Sequence, residues 1–288
     1  MAGEVAVSVL RASKGRVLRK GDVLGVLYSG SLENGGGQRF DANYDFNAFS
    51  VIPGRQLFTF TLGSGQVIQG WDQALSGRRL GEVLDLVIPS ELAYGSAGAP
   101  PSIPPDALLR FRVELVGAIP AGESKAVYPA YTELGLSKKL ANELEAINVK
   151  LASRKLGTDA DDTLTGSSAN DLLIGLAGSD LIQGGLGADV LIGGPGSNRF
   201  LYTDLADSPA RRGGQDQILG FQSSSDQIDF SSFGDVLTFV AQSKFSGSAG
   251  EVRFSKGLLQ LDLDGNGRAD LEVLLNGVSR FSDHNLLL

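Results

Sequence analysis

Five residues spaced by nine carry the most chemistry in this sequence. Asp162, Asp171, Asp180 and Asp189 recur at that interval, and Asn198 takes the next place. Each stands five residues after a glycine (Gly157, Gly166, Gly175, Gly184, Gly193) and two before a large apolar residue (Leu164, Leu173, Ile182, Leu191, Phe200). Oxygens on short side chains suit a hard cation, and Ca²⁺ takes six to eight of them. Glycine at loop positions permits φ > 0 and close approach of the backbone to an ion. A solvated acidic surface accounts for most single aspartates, but it sets no period. Other chemistries are closed by composition. Without Cys there is no disulfide, thiol nucleophile or thiolate metal site. With His284 as the single histidine, an H-E-x-x-H zinc site cannot be built. A Ser-His-Asp triad would rest on that same His284, and nothing around it points to one.

The elements that must hold these residues divide 288 residues into about two domains. Hydrophobic residues make up 42% of the chain, enough for a buried core. Charge is split unevenly: residues 157–288 carry 18 Asp+Glu against 8 Lys+Arg, a net −10, and residues 1–156 sum to +2. No basic face is available for nucleic acid. No run of 18 apolar residues, the length that could span a membrane, is present. The N-terminal residues lack the apolar core of a Sec-type signal peptide, so export would need another signal.

Residues 1–120 read as short strands: VAVSVLRA, DVLGVLYSGSL, LFTFTLG, EVLDLVIP and ALLRFRVELVGAI, each bounded by Gly, Asp, Pro or Ser. Alternation puts Phe58 and Phe60 on one face and groups Phe111, Val113 and Leu115; Phe60, Val113 and Leu115 are expected in the core. GQVIQGWDQAL, with the only Trp, reads as a short helix, which predicts an antiparallel sheet half-wrapped around it. In residues 121–156, Ser137 is the expected N-cap of an amphipathic helix reaching to about residue 152, with Leu136, Leu140, Leu144, Ile147 and Leu151 at helical spacing. A docking spacer is the simpler reading of that helix, and a partner-binding helix the other.

Six blocks in order resemble the FKBP-type peptidyl-prolyl isomerases: Val26-Leu27-Tyr28-Ser29-Gly30, Phe40-Asp41, Phe58-Thr59-Phe60, Val67-Ile68-Gln69-Gly70-Trp71, Ala93-Tyr94-Gly95, and Ile103-Pro104-Pro105 followed by Phe111-Arg112-Val113-Glu114-Leu115. The resemblance covers about residues 5–119. It implies a rotamase acting on proline-containing polypeptides without a cofactor, its pocket lined by Tyr28, Phe40, Asp41, Phe58, Val67, Ile68, Trp71, Tyr94, Ile103 and Phe111. It places Trp71 beneath the substrate proline ring, Asp41 as acceptor from Tyr28, and the Ile68 N–H and Tyr94 hydroxyl on substrate carbonyls. An ordinary aromatic core is the competing account of the same residues. Ala99 stands where the family commonly has His.

The nine-residue register resembles the G-G-x-G-x-D-x-U-x repeat of calcium-binding RTX β-rolls. Two nonapeptides make one coil of such a roll, so loops from alternate repeats stack on opposite edges. Structural Ca²⁺ would then lie between Asp162 and Asp180, Asp171 and Asp189, and Asp180 and Asn198, the Asp171–Asp189 site being the most regular. Beyond Leu201, Asp216 to Phe221, Asp226 to Phe230 and Leu259 to Leu275 resemble the C-terminal domain of serralysin-like RTX proteins. Asp262-Leu-Asp264-Gly-Asn266-Gly-Arg-Ala-Asp270 looks half like an EF-hand loop, but Val273 fills the place of the closing Glu. A weak calcium site and a polar hairpin turn both remain open there. The tail from Ser282 to Leu288 resembles an uncleaved type I secretion signal and is equally compatible with a final strand. The resemblance implies a secreted protein that passes an ABC transporter and folds its roll in extracellular calcium.

The expected organisation is α+β plus all-β. An FKBP-like antiparallel sheet wrapped on a short helix spans residues 1–120 and a linker with one helix 121–156. A parallel β-roll follows at 157–201, and a C-terminal β cap with the secretion signal at 202–288. The alternative function is a non-catalytic, calcium-dependent binding or adhesion protein; a third is an isomerase that aids folding of its own second half. One packing expectation follows from pleat alone. Leu172, Ile174, Val190 and Ile192 point out of the roll on one sheet, while Thr163, Thr165, Leu181, Gln183, Arg199 and Leu201 point out on the other. The first sheet should therefore be covered, by the cap in the first place and by the 137–152 helix in the second.

Overall fold

A computed structural model describes residues 3–47, 50–147, 149–234, 237–241 and 244–288. The chain divides into two compact units, Met1–Leu136 and Ser137–Leu288. The division falls inside the segment expected to be a linker.

In the first unit the β-rich runs become strands β1 (Ala6–Arg11), β2 (Val23–Leu32), β3 (Arg39–Ala42), β4 (Tyr44–Asp45), β5 (Ser50–Val51), β6 (Phe58–Thr61), β7 (Val83–Ile88) and β8 (Leu109–Ile119). Their main sheet is antiparallel in the order β1-β7-β8-β2-β3, with β6 also on β2; β4 and β5 pair with each other. Helix α1 (Gln69–Leu75) lies on this sheet and buries Gly70, Trp71, Ala74 and Leu75. Gly70 explains how close it comes, because a Cβ there would stand 2.4 Å from Ile88 Cγ2. Phe60, Val113 and Leu115 are core residues as expected, each at most 4% exposed. Burying apolar side chains of this size is worth roughly 1.5–3 kcal/mol each. The buried Arg11 is paired, donating to Glu114 at 2.7 Å and to the Gly81 carbonyl at 3.0 Å.

The second unit begins with α2 (Lys138–Glu145), whose N-cap Ser137 accepts the Leu140 N–H at 3.2 Å. The helix stops at Glu145, short of the residue 152 expected. Chain then enters β9 (Ser153–Leu156), β10 (Thr163–Thr165), β11 (Asp171–Ile174), β12 (Leu181–Gln183), β13 (Val190–Ile192) and β14 (Arg199–Leu201). It continues through β15 (Asp216–Leu219), β16 (Gln227–Asp229), β17 (Thr238–Phe239), β18 (Glu251–Ser255), β19 (Leu258–Asp262), β20 (Leu271–Asn276) and β21 (Leu286–Leu287). Alternate strands fall into two sheets. One is parallel throughout, β10-β12-β14-β16-β21; the other runs β17-β18-β19-β20-β15-β13-β11-β9, parallel from β9 to β20 and antiparallel across β18-β19-β20. The inward residues Leu164, Ile182, Phe200 and Ile228 of the first sheet, and Leu173, Leu191 and Ile218 of the second, are at most 1% exposed. They form the dry interior of a roll.

The roll is longer than its repeats. β9 adds a rung before Gly157, and β15, β16, β20 and β21 add rungs after Leu201. The packing expectation holds on its main point. Leu172, Ile174, Val190 and Ile192 are at most 1% exposed, while Thr163, Thr165 and Arg199 on the other sheet are exposed. The expected cover needs correcting. After Leu201, β15 and β17 to β20 extend the apolar sheet edge to edge instead of lying across it, and β16 and β21 extend the other sheet, whereas α2 contacts β15, with Leu140 beside Gly220. Side chains fill the roll's interior, so a helix can meet β15 only from outside.

Candidate functional site

Two sites are built, one in each unit. In the first, β2, β3, β6, β8 and α1 bring Tyr28, Phe40, Asp41, Phe58, Val67, Ile68, Trp71, Tyr94 and Phe111 around one cavity of about 420 Å³, together with Gly65 and Gln66. Trp71 is 3% exposed and stands edge-on to Tyr28 and Phe111, at 5.5 and 5.3 Å between ring centroids. Tyr94 and Phe58, at 42% and 38% exposed, form the open rim. Ile103, expected in the lining, is instead 5% exposed in the core, where its backbone bridges to Ala99.

The polar atoms of the pocket are few, and one of them, Trp71 Nε1, is buried without a hydrogen-bond partner among the described residues. Tyr28 donates to Asp41 Oδ2 at 2.5 Å, and Arg55 stands 3.5 Å from Asp41 Oδ1. Burial, then the Asp41 carboxylate, pushes the Tyr28 phenol well above its usual range, so it stays protonated and donating. Two residues that the sequence did not single out set this geometry. Asn43, 3% exposed, accepts the Tyr28 N–H at 2.6 Å and donates to the Val26 and Gln56 carbonyls at 3.0 Å each, pinning β2 beside the loop that leads to Phe58. Gly30 leaves room for two rings: a Cβ would stand 2.6 Å from Phe111 Cε1 and 2.9 Å from Phe40 Cζ. Only its place inside a strand hinted at such a role.

The second site is the pair of loop stacks at the edges of the roll. Asp162 N–H donates to Asp180 Oδ1 at 2.9 Å, Asp171 N–H to Asp189 Oδ1 at 2.7 Å, and Asp180 N–H to Asn198 Oδ1 at 3.1 Å. All three expected pairs are thus brought together. Each ladder runs further than expected: Asp189 N–H donates to Asp216 Oδ1 at 2.8 Å, Asn198 N–H to Asp226 Oδ1 at 3.0 Å, and Ser153 Oγ to Asp171 Oδ1 at 2.5 Å. Burial first, and neighbouring aspartates after it, push Asp180 and Asp189 up to about 7, and Asp216 well above the carboxylate range. Asp180 Oδ2, Asp189 Oδ2 and Asp216 Oδ2 are buried with no hydrogen-bond partner among the described residues, the last two side by side at Gly184. Stacked, dry, all-oxygen donors with orphaned atoms fit a hard divalent cation such as Ca²⁺.

In the loop 262–270, ligand-type oxygens of Asp262, Asp264 and Asp270 lie within 4.8 Å of one another. They are already used as acceptors. Asp262 takes the Gly265, Asn266 and Gly267 N–H groups and Asp270 those of Leu263 and Asp264, as a carboxylate-held turn requires.

Residues 14–116 match the family model of FKBP-type peptidyl-prolyl cis-trans isomerases, and residues 162–287 match that of the serralysin C-terminal region of M10 peptidases. Over 114 residues the chain is 42% identical to the FK506-binding protein of Neisseria meningitidis serogroup A, covering 40% of this chain and 95% of that protein. Over 98 residues it is 54% identical to human peptidyl-prolyl cis-trans isomerase FKBP2, covering 34% of this chain and 62% of the human protein. The chain thus spans less than two thirds of the length of its FKBP2 relatives. The fold, the aromatic pocket and the Neisseria match together place this chain in the FKBP-type peptidyl-prolyl cis-trans isomerase family. Its second unit is similar to the serralysin C-terminal region.

Proposed function

We propose that residues 14–116 catalyse cis–trans isomerisation of X-Pro bonds in exposed polypeptides, and that the second unit is a calcium-stabilised roll that accompanies them outside the cell. The observation that carries the first statement is an aromatic cavity floored by Trp71 and walled by Tyr28, Phe40, Phe58 and Phe111. Rotation about the peptide bond meets a barrier of ~18–20 kcal/mol from amide resonance. The twisted amide has lost that resonance and its charge separation, so an apolar pocket favours it over the planar form more than water does. Every ~1.4 kcal/mol of such preference is tenfold in rate. The proline ring sits on the Trp71 face, and the Ile68 N–H and Tyr94 hydroxyl hold the flanking carbonyls. The Tyr28–Asp41 hydrogen bond keeps a neutral donor on the wall. No base, nucleophile or metal takes part.

In the second unit Asp180 and Asp189, with loop carbonyls, would hold Ca²⁺, which supplies the positive charge that the stacked carboxylates lack. The tail at Leu286–Leu287 would serve export through a type I ABC transporter while forming the last strand. A proline-peptide isomerisation assay with and without calcium tests the catalytic reading. Catalysed exchange preferring a bulky apolar residue before proline is expected, unchanged by chelation. A rate equal to the uncatalysed one would leave only a binding module. Export is tested by co-expression with a type I transporter, where failure of the full chain to reach the medium counts against it.

A further inference from the structure

We infer that Asn198 and Gln222 take the place of a calcium ion at one rung of the roll, so that loop 193–198 binds none while loops 175–180 and 184–189 each bind one. The inference rests on the calcium reading above and divides it rung by rung. Four of the five loops accept a ladder hydrogen bond through Oδ1, from Ser153 Oγ at Asp171 and from a backbone N–H at Asp180, Asp189 and Asn198, and the loops differ in what meets the second side-chain atom.

In loops 157–162 and 166–171 the chain closes itself. Asp162 Oδ2 accepts from Thr158 N–H at 2.5 Å and from its hydroxyl at 2.9 Å, and Asp171 Oδ2 accepts from Ser167 N–H at 2.5 Å. In the next two loops the residues corresponding to Thr158 and Ser167 are Leu176 and Gly185, with φ of 78° and 83°. A left-handed backbone is costly for leucine, and in these loops neither the Leu176 nor the Gly185 N–H donates to the carboxylate as its counterpart does in the earlier loops. Asp180 Oδ2 and Asp189 Oδ2 are left without a partner, on residues 1% and 0% exposed. A buried charge without a partner is strongly unfavourable, and a cation at each position relieves it.

Loop 193–198 has the same left-handed backbone, with Gly194 at φ 99°. Its side chain also reaches the same place. A Cβ built on Gly193 would lie 2.4 Å from Asn198 Nδ2, just as one on Gly175 would lie 2.0 Å from Asp180 Oδ2 and one on Gly184 2.4 Å from Asp189 Oδ2. An amide NH₂ therefore stands where the other loops present the orphaned oxygen. It donates to the Gly194 carbonyl at 2.9 Å and to Asp226 Oδ1 at 3.2 Å. The amide orientation is fixed by its other end, since Asn198 Oδ1 has to accept the Asp180 N–H. A second amide, Gln222 Nε2, donates to the same Gly194 carbonyl at 2.6 Å. Asp226 is satisfied too, its Oδ2 taking the Gln222 N–H at 2.7 Å. Two amide donors satisfy the oxygens that a cation would otherwise bind, and an amide nitrogen is no ligand for calcium.

Calcium stoichiometry of the full chain, by titration calorimetry or native mass spectrometry, tests this. Asn198→Asp is expected to bind one more ion than the wild type, and Asp180→Asn one fewer while keeping its circular dichroism in calcium. Unchanged stoichiometry in either folded variant overturns the inference while leaving the calcium reading intact. A wild type that binds no calcium at millimolar concentration overturns the calcium reading itself, and the rung assignment with it.

Discussion

Asp22 in the first unit and Asp189 in the second are equally buried, at 1% and 0% exposed. Asp22 accepts from Arg16 at 2.7 Å, from Arg19 N–H at 2.9 Å and from Ala121 N–H at 3.0 Å. Burial alone would raise its pKa, but these donors outweigh it and hold the carboxyl below its usual range. Asp189 has one ladder hydrogen bond and one orphaned oxygen, and burial takes it up to about 7. The first unit carries its own counter-charges and its fold is complete as it stands. The second leaves positive charge to be supplied from solution, which makes its stability a function of the medium.

The sharpest way to break this comparison is chelation. In EGTA, amides of residues 163–201 are expected to lose hydrogen-exchange protection while those of 3–120 keep theirs. Equal protection with and without calcium would erase the distinction between the units. A smaller effect is expected inside the first unit from Gly70→Ala, whose new methyl meets Ile88. Overpacking of this kind costs about 1–3 kcal/mol, read as a lower melting temperature of the first unit alone. Next comes Asp41→Val, which removes the acceptor of Tyr28. A loss of about tenfold in kcat/KM, ~1.4 kcal/mol, is expected, with calcium affinity unchanged.

The smallest effect is a difference of sign with pH. A raised carboxylate pKa stabilises the fold below the unfolded value of 3.8 and loses that contribution as pH rises through the folded value of about 7. Without calcium the second unit should therefore show at pH 5 a melting transition that is weakened or lost at pH 8. Asp22 behaves oppositely: its contribution is present above 3.8 and is lost as pH falls below it. Calorimetry of calcium-stripped protein at pH 8, 5 and 3 reads both, and parallel movement of the two transitions would refute the contrast.

Legibility followed the physics of each signal. The nine-residue period exposed Asp162 to Asn198 because every coil must repeat the same loop. Asp216 and Asp226 continue the same ladders but lie beyond a long insertion after Leu201, where spacing carries no information and only strand pairing restores the register. Ser153 belongs to the ladder without a glycine or carboxylate to mark it. In the first unit alternation revealed the strands and the core face of Phe60 and Val113. It did not reveal Asn43, whose work is done by hydrogen bonds to two segments, β2 and the loop at Gln56, or that Ile103 stands outside the cavity lining. The cap was misplaced for a similar reason: apolar strands say that a face is buried, not whether they lie over it or extend it.

The strand order of the roll also fixes which parts of it assemble quickly. Leu164 pairs with Ile182 and Leu173 with Leu191, so each new coil closes a loop of 18 residues. The capping pairs Ile218 with Leu275 and Ile228 with Leu286 close loops of 57 and 58. Loop-closure entropy makes each of these about 1 kcal/mol dearer than a coil. Growth along the coils is then a local, stepwise zipper, and docking of the cap is the late event. Pulse-labelled refolding in calcium would find residues 163–201 protected before 271–287, and a chain stalled before the cap docks would expose the edges of β15 and β16 as open templates for another copy's strand.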